Sequence, residues 1–228
     1  MPLQGIQHQY SLMPPVIRFL LIANVLVFLF ESLAGPVLIR EFGLWPVLPD
    51  EFVRLAQERG YFVNGFAPWQ LLSYAFLHGN LMHLLLNMYA LWLFGVALEN
   101  LWGSARFAVY YLVCVLGAGL VQLLVVSLNL EPGNYYPTIG ASGGVFGVLL
   151  AYGMMFPRAI IFLLIPPMPI EARWFVLIYG GIELFFGITG TDSGVAHFAH
   201  LGGMIFGYFL IRHWRNLPPA HPDRLPDP

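Results

Sequence analysis

GASGGVFGVLLAYGMMFPR, residues 140–158, is a run of small and apolar residues that opens on a serine set among glycines and closes on a proline and an arginine. A helix from Ser142 to Phe156, rising 1.5 Å per residue, covers ~22 Å, which is short of the ~30 Å hydrocarbon core of a bilayer. The run therefore reads as a membrane helix with one end inside the bilayer. Arg158 ties the inner end to the cytoplasmic surface, so Ser142 is recessed by roughly 8–10 Å beneath the outer one. The serine is either a nucleophile in that recess or a small residue that lets helices touch.

The rest of the chain agrees that lipid is the solvent. Of 228 residues, 58% are hydrophobic and only 10% charged, and the mean hydropathy is +0.72, a composition of membrane proteins. All ten basic residues are arginine, the net charge is -2 and no basic run exists, so nucleic acid is excluded as a partner. The single cysteine, Cys114, lies in an apolar run and reads as a packing residue. No Ala-x-Ala-like cleavage site follows the first apolar run, which reads as a retained span.

Apolar runs at Val16–Ala34, Leu81–Leu98, Arg106–Leu128, Ser142–Phe156, Trp174–Ile188 and Val195–Ile211 predict an all-α polytopic membrane protein, a bundle of six transmembrane helices. Their length and the lack of period-two alternation argue against a barrel. Residues 1–14 form a short cytoplasmic segment, 15–215 the membrane domain and 216–228 a Pro-rich disordered tail. With both termini cytoplasmic, Arg18, Arg106, Arg158, Arg173, Arg212, Arg215 and Arg224 lie inside and Arg40, Arg54 and Arg59 outside, as the positive-inside rule favours. Within the first connection, Val47–Gly60 reads as a short interfacial helix or as a solvated loop.

In that orientation spans two, four and six all begin near the outer surface, and their polar residues fall at one depth. Span two carries His83 and Asn87 on one helix face, with His78 just before it. Span four carries Ser142 in its first turn. Span six carries His197 and His200, and His200 lies ~9 Å of helix beyond the turn-like Thr191–Gly194. Intramembrane polar groups are costly unless they face a cavity or one another. A serine becomes nucleophilic when a neutral imidazole within reach takes its proton, which makes His200 the candidate base. An oxyanion formed by attack on a carbonyl needs preoriented donors, and the backbone at Ser142, a helix N-terminus, with His83 and Asn87 would supply them.

Blander readings stand beside this one. Gly143-x-x-x-Gly147 and Gly203-x-x-x-Gly207 are small-xxx-small patterns that bring helices together, and Ser142 taken alone is packing glue. Metal binding lacks an H-E-x-x-H motif or a dense Cys/His cluster, so no metal is expected. GASGG matches the G-x-S-x-G nucleophile elbow of soluble hydrolases, but no strand precedes the serine.

With these residues assembled, the chain resembles the rhomboid family of intramembrane serine proteases from about Pro14 to Arg215. HGNLMHLLLN (78–87) is similar to that family's second-helix motif, GASG (140–143) to its nucleophile motif and AHLGGMIFG (199–207) to its sixth-helix motif. The resemblance implies a bacterial-type six-helix core in a bacterial cell membrane. It implies a catalytic dyad of Ser142 and His200, oxyanion donors from His83, Asn87 and the Ser142 backbone, and Gly203 and Gly207 as the contact between helices six and four. It implies no cofactor, and substrates that are transmembrane proteins, commonly single-pass, reached through membrane lipid. Two positions depart from the pattern. Trp69-Gln70 replaces a Trp-Arg pair, so the first loop lacks its arginine anchor. Phe146 replaces a tyrosine that stacks on the histidine, and can stack but not hydrogen-bond.

Other residues are read individually. His197, one turn above His200, reads as a cavity-rim residue. Asp192 lies in a loop, which favours a dyad over a triad. Glu99 reads as structural, pairing with an arginine or capping a loop, while Glu183 in span five is open between burial against span two and a role at a lateral opening. Two rivals remain, a catalytically dead relative that escorts transmembrane helices and a small-solute transporter. The first needs neither Ser142 nor His200; the second requires polar groups through the full bilayer depth.

Overall fold

The computed structural model describes residues 10–128, 136–164, 167–190 and 196–215. Among them the chain forms α1 (Pro15–Ala34), α2 (Val37–Phe42), α3 (Asp50–Glu58), α4 (Gln70–Ser73), α5 (Leu81–Trp102), α6 (Ser104–Leu128), α7 (Ser142–Met155), a hairpin of β1 (Ile160–Leu164) and β2 (Pro167–Glu171), α8 (Ala172–Thr189) and α9 (His197–Arg215). The protein is an all-α polytopic membrane protein, with a helix at each of the six runs read as spans. Four of these helices, α1, α5, α6 and α8, are long and apolar enough to cross a bilayer. The other two differ for physical reasons. α7 has 14 residues and packs against α5, α6, α8 and α9, so its ends face protein and need not reach the lipid headgroups. α9 closes on Arg212, His213 and Arg215, a basic last turn that complements the helix dipole.

Strands are absent from the sequence reading, and the hairpin corrects it. Ile160–Leu164 is apolar but too short to span, and it pairs antiparallel with Pro167–Glu171 at the end of α7 remote from Ser142. Each strand of a two-stranded sheet is an edge, which is where proline, lacking an N–H, is tolerated. Residues 1–9, the tail 216–228, the turn with Asp192 and most of the loop before Tyr136 lie outside the described residues.

Buried polar side chains set how the helices meet. α1 has no side-chain cap of its own. Glu99 of α5, 2% exposed, instead accepts hydrogen bonds from the backbone N–H groups of Val16 (2.9 Å) and Ile17 (2.8 Å) and from the Ser104 hydroxyl (2.6 Å). An acidic group thus meets two donors at a helix N-terminus. The structural reading of Glu99 holds, with a helix end and not an arginine as partner. α5 itself is capped by Asn80, whose Oδ1 accepts from the His83 N–H at 2.8 Å.

The first connection folds around a small core of its own, Trp45, Leu48, Ala56 and Val63, with α3 at the position foreseen for a short helix. Its anchor is Gln70, fully buried. The Gln70 Oε1 accepts from the N–H groups of Trp45 and Ala67, both at 3.2 Å, and Nε2 donates to the Gly65 carbonyl at 3.2 Å. The amide, with donors and acceptor on one group, thus anchors the loop where the sequence shows only a missing arginine. Leu44 then pairs with Thr138 through two backbone bonds of 2.9 and 2.8 Å, fixing the connection to the segment just before Ser142.

α9 packs most extensively against α6 and α7, and glycines permit it. A Cβ at Gly203 would fall on the backbone carbonyl of Gly143, and one at Gly147 would lie 3.1 Å from the Gly203 carbonyl as well as on Cys114. Gly143 abuts Ala118 of α6 and lies within reach of the Ala199 carbonyl. Gly207 departs from the sequence reading. The atoms nearest a Cβ built there belong to Tyr110 and Cys114 of α6, because α9 lies in the groove between α6 and α7 and successive small positions turn toward different neighbours. Cys114 is free and buried there, as a packing residue.

Gly203→Ala is expected to destabilise the bundle by about 3 kcal/mol or more, since a methyl group would meet unyielding backbone. Gly181→Ala on α8, where no atom lies within 4 Å of an added Cβ, is expected to be neutral or to stabilise by up to about 1 kcal/mol. Thermal melts of the two variants in detergent check both, and equal melting temperatures would contradict the packing.

Candidate active site

The site is built where the segment before α7 passes under α5. Gly140 adopts φ +125°, a conformation side chains rarely enter, and a Cβ there would also lie 2.8 Å from the His83 ring. Its N–H donates to the Tyr74 carbonyl at 2.9 Å. The chain then turns at Ala141 into α7 with no side-chain capping bond, so the first backbone N–H groups of the helix are left to other acceptors.

Ser142 is the first residue of α7 and His200 lies in the first turn of α9. Their side chains meet, with Ser142 Oγ 2.7 Å from His200 Nε2 across 58 residues of sequence. That is hydrogen-bond distance and close enough for proton transfer. The His200 ring is 7% exposed and stacks on Phe146, one turn below Ser142, with centroids 4.2 Å apart and planes within 6°. Stacking survives without the hydroxyl that a tyrosine would bring.

Behind the histidine stands a residue placed neither against span two nor at an opening. Glu183 of α8, 7% exposed, places Oε2 2.8 Å from His200 Nδ1 and 2.7 Å from His197 Nδ1. His197 is therefore not at a cavity rim. It is 6% exposed and faces α8, because residues three apart share a helix face and α9 turns that face to Glu183. The signal was available: Glu183 is an acidic residue inside an apolar span, a kind of position that is costly unless paired. The three ligand atoms of Glu183, His197 and His200 lie within 4.8 Å of one another and could hold a metal ion, a grouping that no sequence motif displays. The two N···O separations are those of hydrogen bonds.

The oxyanion candidates are distributed unevenly. The His83 ring lies against Gly140, beside Ser142, and edge-on to His78 with centroids 5.0 Å apart. His78 precedes α5, and burial, with a smaller contribution from His83, pushes its pKa down to about 4. It is neutral at neutral pH and adds no second charge at His83. Asn87 is 6% exposed, and its amide donates to the His83 carbonyl in the preceding turn at 2.9 Å. One amide hydrogen is thereby committed to its own helix and the other remains. Taken together, the geometry offers a hydroxyl within hydrogen-bond distance of an imidazole, a carboxylate behind that imidazole and the His83 ring on the adjoining Gly140.

The Rhomboid domain family model matches residues 66–215, which starts later than the resemblance drawn from about Pro14. RHOMBOID-like protein 4 of Arabidopsis thaliana is 33% identical over 174 residues, covering 72% of this chain and 41% of the relative. Rhomboid protein 1, mitochondrial, of Saccharomyces cerevisiae is 30% identical, covering 73% and 47%. Rhomboid protease GluP of Bacillus subtilis is 34% identical, covering 62% and 25%. The chain thus spans between a quarter and about half of the length of these relatives.

Loss of the ring beneath His200 tests how tightly the imidazole is held. An aromatic pair contributes about 0.5–1.5 kcal/mol beyond its buried area, so Phe146→Ala is expected to slow labelling of Ser142 by a fluorophosphonate up to about tenfold. Phe146→Tyr should label at the parent rate. Parent-rate labelling of Phe146→Ala would show that the stack does not orient His200.

Proposed function

The chain belongs to the rhomboid family, and we propose that it is a serine-type intramembrane endopeptidase that cleaves transmembrane segments of membrane-protein substrates, commonly single-pass ones. The observation that carries this reading is the 2.7 Å contact between Ser142 Oγ and His200 Nε2 at the α7 end remote from the hairpin.

The chemistry follows from that contact. Ser142 Oγ attacks the scissile carbonyl carbon while His200 Nε2 takes the hydroxyl proton. The oxyanion that forms receives hydrogen bonds from the Ser142 backbone N–H at the α7 N-terminus, from the His83 ring and from the free amide hydrogen of Asn87. The His200 imidazolium returns its proton to the departing amine, the C–N bond breaks and the acyl group remains on Ser142. Water then attacks the ester with His200 again taking the proton, which restores the serine and releases the carboxylate product. None of these steps calls on a metal or cofactor.

Substrate selection follows from backbone chemistry. A peptide bond within a helix has its carbonyl bonded to the fourth residue on, so attack requires local unwinding. Water in the recess solvates the freed groups, which lipid cannot do. Residues 15–215 form the membrane domain, and the arginine distribution sets both ends of it on the cytoplasmic side, flanked by the segment 1–14 and the tail 216–228. The relatives include a Bacillus subtilis protein, proteins named as mitochondrial and an Arabidopsis thaliana protein whose name gives no compartment, so they lend no support to a bacterial cell membrane in particular. What the helices and relatives do support is a multi-pass integral membrane protein.

Reconstitution in liposomes with a single-pass transmembrane substrate is the deciding experiment. Ser142→Ala and His200→Ala are each expected to abolish cleavage while melting as the parent does, and near-parent cleavage by either would remove the dyad. Asn87→Ala is expected to lower kcat by about 10- to 100-fold, less than the largest losses of an oxyanion donor, because the backbone N–H and His83 remain. In a substrate series, replacing Gly or Pro near the scissile bond by Leu should slow cleavage, since those residues weaken the helix. Undiminished cleavage of an all-Leu helix would mean that unwinding is not selective.

A further inference from the structure

We infer that Glu183 is the positioning residue of this site: its carboxylate holds His200 in the Nδ1–H tautomer and offsets the positive charge that His200 acquires, with His197 fixing the carboxylate from the other side. The inference rests on reading Ser142 as nucleophile and His200 as base, and goes beyond the dyad.

The geometry argues it in three steps. An ionised carboxylate accepts hydrogen bonds and donates none, so both contacts on Glu183 Oε2, 2.8 Å to His200 Nδ1 and 2.7 Å to His197 Nδ1, require protons on the two Nδ1 atoms. A neutral His200 with its proton on Nδ1 has its lone pair on Nε2, and Nε2 faces the Ser142 hydroxyl at 2.7 Å. The opposite tautomer would donate to that hydroxyl and accept no proton from it. Once the Ser142 proton arrives on Nε2, the imidazolium lies against a carboxylate in a water-poor interior, where such an interaction is strong. The proton stays on His200 for delivery to the leaving amine and does not pass to Glu183.

His197 explains why one oxygen has two donors. The two histidines lie three apart on one face of α9, so the carboxylate is held between them and cannot rotate away from His200 without losing both bonds. The surroundings contain few competitors. α5 presents His83 beyond Ser142, α7 presents the uncharged Phe146, and Tyr179 of α8 lies against that ring. α6 presents Tyr110, Tyr111 and Cys114 to the buried glycines of α7 and α9, and the Tyr110 hydroxyl is donated to the Gly147 carbonyl at 2.8 Å. Among the described residues, Glu183 is the acid in contact with His200.

A purely structural role for Glu183 is the competing account, and it has substance. α8 buries only Ala172, Val176 and Glu183, so the carboxylate also ties the outer half of α8 to α9. The two roles separate under substitution. Glu183→Gln keeps an oxygen that can accept both Nδ1–H bonds, hence the tie, and removes the charge. Glu183→Leu removes charge and acceptor together.

The test combines kinetics in liposomes with ¹⁵N NMR of histidine-labelled protein in detergent. Glu183→Gln is expected to melt with the parent and to leave KM within about twofold, while kcat falls by about 10²-fold or more, short of the ~10⁴-fold loss seen when an amide replaces the carboxylate of a soluble serine protease and the histidine takes the wrong tautomer. In Glu183→Leu, the His200 Nε2 signal is expected to move from that of a bare nitrogen to that of a protonated one. A Glu183→Gln enzyme within about threefold of the parent kcat would overturn the inference and leave the Ser142-dependent protease intact. So would an unchanged His200 signal in Glu183→Leu. A parent enzyme that loses activity to a chelator and regains it with zinc would also overturn it, making the cluster a metal site. If the parent cleaves no substrate yet the His200 signal moves as expected, the protease reading fails and the positioning of His200 by Glu183 stands.

Discussion

How near α9 can come to α7 decides which side chains meet at the Ser142 end of this bundle. The Gly143 carbonyl occupies the place where residue 203 would carry a Cβ, and the same crossing puts the Gly203 carbonyl 3.1 Å from a Cβ built at Gly147. Lipid is as apolar as the side chains that helices bury, so close packing and interhelical polar contacts, and not the expulsion of water, hold such a pair together. At this crossing, His200 lies one turn from Gly203 and Ser142 is next to Gly143, so the distance between the two backbones sets the distance between hydroxyl and imidazole. α6 supplies the floor of the groove, with Gly117 and Ala118 against α9. The Ser142–His200 contact is a consequence of helix packing.

A second constraint is that each buried polar group in an apolar medium needs a partner, and this chain uses three buried carboxylates to define three junctions. Glu99 closes the start of α1. Glu31, near the other end of α1, accepts the His78 N–H at 3.2 Å and so joins α1 to the turn before α5. Glu183 joins α8 to α9 through two imidazoles. Breaking any of these would leave a charge or a donor buried without compensation, so each junction has a preferred register as well as an affinity. Gln70 does the same for the first connection without a charge. That connection matters to chemistry because it docks on Thr138, four residues before Ser142, and holds the approach to α7 in place.

Hydropathy located the long apolar helices, because lipid forces every spanning backbone to bond within itself and leaves helix as the available form. The shortness of the 142–156 run and the concentration of His83, Asn87, Ser142 and His200 near one depth were likewise legible, since depth follows from residue count along a helix. What the chain could not state by itself was rotation about each helix axis and the identity of the facing neighbour. Gly207 turns to α6 and Gly203 to α7 although both obey one spacing. His197 is buried although it is nearer the surface in sequence. Asn87 spends one hydrogen on its own helix. Glu183 and His200 are 17 residues apart across a stretch of sequence that carries no motif, and only the packing of α8 on α9 places the carboxylate behind the imidazole. The sequence by itself determined where the long apolar helices lie along the chain and how far each polar residue stands from a helix end. The tertiary structure alone decided which of them touch, because contact depends on crossing angles and axial rotation, and these are set by the packing of all the helices together.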